Sequence, residues 1–129
     1  MTTSGRILVV EDNALNLKLI RDVLQVRGYD VVEARSGEEG VSLAHVCCPD
    51  LVLMDLQLPG IDGVEAMHRL RRDPVVADVP VVAVTAFAMQ EDRDRALADG
   101  FDGYLSKPIS VRALPSQVDA FMVIGHAHA

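Results

Sequence analysis

Short apolar runs alternate with amphipathic segments about five times along this chain. An apolar run bounded by turn residues is typical of a buried strand, and apolar residues at helical spacing are typical of a helix. Strands that alternate with helices form a parallel sheet with helices on both faces. We therefore predict an α/β fold, a doubly wound sheet of five parallel strands. The predicted strands are residues 6–10, 30–34, 51–55, 79–85 and 103–105.

Capping and breaking residues set the ends of the predicted helices. Asn13 can cap a first helix that stops at Gly28. Ser36 followed by Glu39 has the pattern of a capping box for a second helix, which runs to about Cys47. The third helix is predicted from Asp62 through Arg72, the fourth from near Gln90 to Gly100, and the last with Ser110 as its cap.

Pro115 is predicted to delay the last helix. A proline in a regular helix interior has no N–H for the carbonyl four residues earlier and crowds it, which costs about 3 kcal/mol. We expect an irregular or 3₁₀ turn over residues 110–114, with Pro115 in the first turn of a short helix. That helix should end near Ile124 and leave a loose tail over residues 125–129.

The composition is that of one globular domain. The chain has 129 residues, of which 50% are hydrophobic and 24% charged, so we predict a single domain over residues 1–129 with a core of about 6–121. A net charge of −7 with scattered Lys and Arg argues against nucleic acid. No apolar stretch approaches the roughly 20 residues that cross a bilayer, so no membrane partner is expected. With adjacent cysteines at Cys47 and Cys48 and no leader before Arg6, the cytoplasm is the expected location.

Polar residues follow four of the predicted strands. Glu11 and Asp12 come after the first strand, Asp55 ends the third, Thr85 ends the fourth, and Lys107 follows the fifth. Parallel strands joined by right-handed crossovers bring their carboxyl ends to one edge of the sheet, where open α/β folds hold ligands. Crowded carboxylates repel each other unless a cation screens them, and hard oxygen ligands suit Mg²⁺ or Mn²⁺. A divalent cation site is therefore predicted at this edge.

The same residues suit phosphoryl transfer. With Mg²⁺ and Lys107 in place, Asp55 would be a carboxylate nucleophile facing two positive charges, which attract a phosphoryl donor. The Thr85 hydroxyl could donate a hydrogen bond to one of the phosphoryl oxygens.

Four motifs carry a family resemblance. They are VVEDN at residues 9–13, DLVLMDLQLPGIDG at 50–63, VVAVTAFA at 81–88 and YLSKPIS at 104–110. Together they resemble the receiver domain of the two-component response regulators, in particular the stand-alone kind, over about residues 6–121. The resemblance implies a flavodoxin-like strand order, 2-1-3-4-5. It also implies a signalling switch, not an enzyme beyond its own phosphoryl transfer and autodephosphorylation.

The resemblance implies a role for each residue of the acidic edge. Asp55 would accept the phosphoryl group from the phosphohistidine of a sensor histidine kinase or a histidine phosphotransfer protein, or from a small donor such as acetyl phosphate. Glu11, Asp12, Asp55 and the backbone carbonyl of Gln57 would hold Mg²⁺. Lys107 would contact the phosphoryl oxygens.

The resemblance also implies which residues change conformation on phosphorylation and which affect the lifetime of the aspartyl phosphate. Thr85 and Tyr104 would be the switch pair that reshapes the surface of the fourth helix, fifth strand and fifth helix for a downstream protein, and the bond before Pro108 would be cis. Gln57 and Phe87 would border the path of attacking water. Because neither supplies a strong base, we hypothesise a long-lived aspartyl phosphate, lasting minutes or more.

Two other classes of function compete with this interpretation. A pseudo-receiver would bind partners without taking phosphate, but the acidic residues, Thr85 and Lys107 are all present. An enzyme of similar fold is the second class. A haloacid-dehalogenase-type phosphatase would need an aspartate where Gln57 stands, and a flavin binder would need a hydroxyl- and glycine-rich loop where Glu11 and Asp12 would repel phosphate.

Overall fold

Among the residues that the structure describes, 5–86 and 89–128, five parallel strands alternate with five helices in this computed structural model. The strands are β1 (Arg6–Val10), β2 (Asp30–Ala34), β3 (Leu51–Asp55), β4 (Val81–Thr85) and β5 (Gly103–Ser106). The helices are α1 (Ala14–Val26), α2 (Gly37–Cys47), α3 (Gly63–Arg72), α4 (Gln90–Asp99) and α5 (Leu114–His128). The strands lie in the order β2-β1-β3-β4-β5, which confirms the predicted α/β fold and strand order.

Alternate side chains of the sheet enter two separate cores. Leu8 and Val10 of β1 pack with residues of α2, α3 and α4 on one face. Ile7 and Val9 pack with residues of α1 and α5 on the other. Because both faces are covered, the central strands are apolar throughout, which is why they are readable in the sequence as continuous runs.

Two strand ends differ from the prediction by one or two residues. β4 begins at Val81 instead of residue 79, because Pro80 has no N–H for the ladder; its carbonyl accepts a hydrogen bond from Val52 N at 3.0 Å. β5 continues one residue further than predicted, to Ser106, which lies opposite Thr85 in the register of β4 and β5.

The predicted caps of the first three helices are present, with one change of partner. Asn13 and Asp62 each accept a hydrogen bond from the backbone amide three residues on, at 3.0 and 2.9 Å. Ser36 Oγ accepts one from Glu39 N at 3.1 Å. In a capping box the Glu39 carboxylate would return to the amide of Ser36, but here it accepts from Arg35 N at 2.7 Å.

Pro115 delays α5 as predicted, but the helix is longer than expected. Residues 111–113 form a turn, and Ser110 Oγ accepts a hydrogen bond from Ala113 N at 3.1 Å. α5 then begins at Leu114 and continues to His128. The predicted helix end near Ile124 is therefore wrong, and so is the predicted loose tail over residues 125–128. A glycine such as Gly125 costs a helix only about 1 kcal/mol relative to alanine, which is no hard stop. Within the described ranges, no helix is both long and apolar enough to span a membrane.

Candidate functional site

Three carboxylates meet where β1 and β3 end. Glu11, Asp12 and Asp55 each offer an oxygen atom, and the three atoms lie within 4.8 Å of one another. Their proximity follows from the sheet, because β1 and β3 are neighbours and both strands end at this edge. Glu11 and Asp55 are buried, with exposed fractions of 1% and 2%, whereas Asp12 is exposed. The predicted acidic cluster is therefore assembled, with one carboxylate open to solvent.

Lys107 supplies the positive charge of the site. Its Nζ lies 2.8 Å from Glu11 Oε1 and 3.1 Å from Asp55 Oδ2. The backbone of Lys107 is held beside the end of β4. Its amide donates to the Thr85 carbonyl at 2.7 Å, and its bond to Pro108 is cis, as the resemblance implied.

The buried charges shift each other's proton affinity. Burial raises the pKa of Glu11 to about 7, the neighbouring Asp55 adds to the rise, and the contact with Lys107 opposes it. Burial lowers the pKa of Lys107, but its contacts with Glu11 and Asp55 outweigh burial and raise the pKa above the usual value. The single ammonium group of Lys107 therefore does not neutralise all of the negative charge on the carboxylates.

A close backbone approach fixes the loop after Asp55. The backbone amide of Gln57 donates to Asp55 Oδ1 at 2.9 Å. At Gly63 a Cβ atom would lie 2.3 Å from the Asp55 carbonyl oxygen and 2.8 Å from the Cα of Leu56, so any side chain there would overlap the backbone. Gly63 thus lets α3 begin directly against the end of β3. The sequence motif contains this glycine, but its spacing alone did not reveal the role.

The two predicted switch residues lie on the same face of the sheet. Thr85 is buried, and Tyr104 lies opposite Ala83 in the ladder, two residues before Thr85. The Tyr104 ring packs against the core on the α4 side, where its hydroxyl is buried and finds no hydrogen-bond partner among the described residues. Burial raises the pKa of Tyr104. Phe87, the predicted neighbour of the water path, lies outside the described residues.

A narrow groove of about 150 Å³ lies beside Thr85, between α3 and α4. Its lining is formed by Leu56, Val64, Thr85, Asp92, Arg95, Ala96 and Asp99. Thr85, the predicted switch residue, therefore borders this groove.

The residues at this edge fit a divalent cation. Carboxylate oxygens are the ligands that Mg²⁺ prefers. Glu11 Oε1 is buried 2.8 Å from Lys107 Nζ, and the same ammonium group also lies 3.1 Å from Asp55 Oδ2. A cation at this position would compensate the charge that Lys107 leaves uncompensated.

The chain is similar to proteins of one family. Residues 7–119 match the sequence profile of the Response regulator receiver domain. The chain is 43% identical to the polar-differentiation response regulator DivK of Brucella ovis over 116 residues, which cover 90% of this chain and 94% of DivK.

Solved structures agree with this match. The receiver domain of the sensor histidine kinase PA1611 of Pseudomonas aeruginosa, whose active-site cleft coordinates a magnesium ion, is 34% identical, with a TM-score of 0.84 over 92% of this chain and 98% of that one. A CheY-like receiver domain protein of Methanospirillum hungatei is 26% identical, with a TM-score of 0.85 over 96% and 98%.

Receiver domains bind Mg²⁺ at such an acidic site, and they interact with histidine kinases and downstream targets. The sequence match covers both the strands that build this edge and the helices around it. We conclude that the chain belongs to the response regulator receiver domain family, whose function is phosphorylation-based signalling.

Proposed function

We propose that this chain is a receiver that accepts a phosphoryl group on Asp55 and signals through protein contacts. The observation that carries the proposal is a buried Asp55 carboxylate 3.1 Å from Lys107 Nζ, within a cluster of three acids. The donor is the phosphohistidine of a sensor histidine kinase or of a histidine phosphotransfer protein, or a small donor such as acetyl phosphate.

The reaction exchanges one bond to phosphorus for another. A carboxylate oxygen of Asp55 attacks the phosphorus atom while the bond to the imidazole nitrogen, or to the leaving oxygen of a small donor, breaks. Lys107 contacts an equatorial phosphoryl oxygen, and the Thr85 hydroxyl donates to another. When bound, Mg²⁺ would stabilise the negative charge on the phosphoryl oxygens.

The chain's own residues would hold that cation. Glu11, Asp12 and Asp55 would ligate it through carboxylates, and Gln57 through its backbone carbonyl, which leaves Lys107 for the phosphoryl group. The protein acts on no separate substrate in this scheme and catalyses only its own phosphorylation and dephosphorylation. The runner-up proposal is a phosphorylation-independent pseudo-receiver, which the complete set of acids and Lys107 disfavours.

The output in our proposal is a change in the surface formed by α4, β5 and α5. Thr85 moves toward the new phosphate and Tyr104 fills the space that it leaves, so that one added charge cluster biases a two-state element. The common face of these two residues supports this coupling. Because α5 begins only at Leu114, its first turn would meet a downstream partner differently from a helix that begins at residue 111.

Intact mass after incubation with Mg²⁺ and acetyl phosphate tests the chemistry. We expect a mass gain of one phosphoryl group in the wild type and none in Asp55→Asn or in the presence of a chelator. Ser106→Ala is a matched control, because this exposed hydroxyl also lies at the edge and its removal should leave the adduct. An adduct that survives Asp55→Asn would show that another residue is the acceptor.

The lifetime of the adduct tests the predicted roles of Gln57 and Phe87. We expect decay over minutes or longer in the wild type, because neither residue activates water. Phe87→Ala should open the water path and speed decay, as followed by loss of the mass adduct after removal of the donor. Decay within seconds that Phe87→Ala leaves unchanged would contradict this hypothesis.

A further inference from the structure

Arg35 contacts the backbone that carries one of the metal-ligand candidates. It directly follows β2, and β2 lies beside β1 in the sheet. Its Nη2 donates a hydrogen bond to the backbone carbonyl of Asp12 at 3.1 Å. The side chain thus spans from the end of β2 to the loop after β1.

The base of this side chain is itself held in place. The Arg35 amide donates to Glu39 Oε1 at 2.7 Å, and the neighbouring Ala34 carbonyl accepts from Glu11 N at 3.0 Å. The arginine therefore extends from a fixed point toward Asp12, whose carboxylate is the exposed member of the acidic cluster.

The guanidinium groups of Arg35 and of the neighbouring Arg21 have different polar partners. Both line a groove of about 390 Å³ along α1. Arg21 is ion-paired with Glu33 at 3.0 Å, whereas Arg35 has no carboxylate oxygen within 4.0 Å in the described part of the chain. The polar contact recorded for the Arg35 guanidinium is the Asp12 carbonyl.

We propose that Arg35 is a positioning residue that holds the Asp12 loop in the conformation required to ligate Mg²⁺. The proposal rests on the proposed metal site. Groups behind the direct ligands fix ligand orientation, and their loss typically lowers metal affinity about 10-fold to 100-fold. A positive charge near a cation has the opposite effect, because it repels the metal. Removal of Arg35 therefore weakens Mg²⁺ binding if the residue positions Asp12, and strengthens it if only the charge matters.

Calorimetric titration of the chain with Mg²⁺ alone, without a phosphodonor, separates these outcomes. We expect Arg35→Met to bind Mg²⁺ about 10-fold more weakly than wild type, and Arg35→Gln, which is too short to reach, to do the same. Arg35→Lys keeps a long donor and should recover most of the affinity. Arg21→Met removes an equal charge from the same groove without touching Asp12, and should bind Mg²⁺ as tightly as wild type or more tightly.

Hydrogen exchange of the metal-free proteins gives a second readout. Backbone amides of residues 11–16 should exchange faster in Arg35→Met than in wild type, Arg35→Lys or Arg21→Met. If wild type binds Mg²⁺ and Arg35→Met binds it equally or more tightly, the positioning role is overturned while the proposed function stands. If wild type itself binds no Mg²⁺, the proposed metal site fails, and the role of Arg35 fails with it.

Discussion

Charged residues are paired differently at the two edges of the sheet. At the amino edge, Arg6 Nε pairs with Asp30 at 2.8 Å. There too, Asp102 Oδ2 accepts hydrogen bonds from Arg71 Nη2 at 2.5 Å and from Val81 N at 2.8 Å. At the carboxyl edge, three carboxylates cluster, and two of them contact the ammonium group of Lys107. The two ion pairs named at the amino edge each join one cation to one carboxylate, whereas at the carboxyl edge one ammonium group contacts two carboxylates.

This difference separates residues that stabilise the fold from residues for which we propose a chemical role. An ion pair with a complete set of partners is costly to break, because the remaining partner is left unsatisfied. A surplus of buried carboxylates costs stability in the free protein and makes a cation favourable. Substitutions at the two edges should therefore affect stability in opposite directions.

Arg71→Met should give the largest effect, a loss of about 3 kcal/mol in the free energy of unfolding. Arg71 donates to the carbonyls of Ala77, Val79 and Gly100 as well as to Asp102, and all of these acceptors would lose a charged partner. Arg72→Met is the matched control, because Arg72 is exposed and pairs only with Glu65 in the described residues. Urea denaturation measures both, and similar losses would contradict a structural role for the amino edge.

Glu11→Gln should have the next largest effect, and its sign should depend on pH. Because burial raises the pKa of Glu11 to about 7 from 4.5, the folded chain binds this proton more tightly than the unfolded chain does. The stability that this proton contributes is present below pH 4.5 and is lost as the pH rises through 7. The variant, which cannot lose the proton, should therefore gain stability relative to metal-free wild type as the pH rises.

Urea denaturation with a chelator at pH 5 and at pH 8 measures this difference. Other carboxyls, such as Asp73 and Asp119, have lowered pKa values, so they increase the stability of both proteins as the pH rises. Only the difference between wild type and the variant therefore reports on Glu11. Mg²⁺ at pH 8 should stabilise wild type more than the variant. If the free energies of unfolding of the two proteins change in parallel with pH, burial of the charged Glu11 carboxylate does not cost stability.

Cys48→Gly should have the smallest effect, a gain of about 1 kcal/mol. Cys48 ends α2 in the left-handed conformation, with φ of 49° and ψ of 65°, where a side chain is strained and glycine is not. Cys48→Ala removes the thiol but keeps the strain, so its stability should stay near that of wild type. Thermal melting compares the two, and Mg²⁺ affinity should not change in either variant because the residue lies at the amino edge.

Most of the fold could be predicted because its signals are local. The strands are apolar runs buried on both faces, and Asn13, Ser36 and Asp62 cap helices through bonds to residues three positions away. Two boundaries were predicted wrongly: Pro80, a local signal that the predicted strand did not take into account, shortens β4, and Gly125, a weak helix breaker, does not end α5.

The candidate site was predictable for a different reason. Glu11, Asp55, Thr85 and Lys107 meet because parallel strands end at one edge, so the topology alone brings them together. The contact of Arg35 with Asp12 also depends on the reach and direction of a long side chain. The network around Arg71 depends on this reach as well, since it joins elements about thirty residues apart in sequence. Neither arrangement leaves a periodic signal in the sequence.

The ladder between β4 and β5 sets a rule for which insertions the chain can tolerate. Thr85 lies opposite Ser106, and the amide after Ser106 bonds to the Thr85 carbonyl. An extra residue in the connection between these strands, including α4, leaves this pairing intact. An extra residue inside either strand turns every later side chain to the opposite face, which would carry Tyr104 or Thr85 away from α4. Changes in length between relatives should therefore accumulate in the connections and spare the strands.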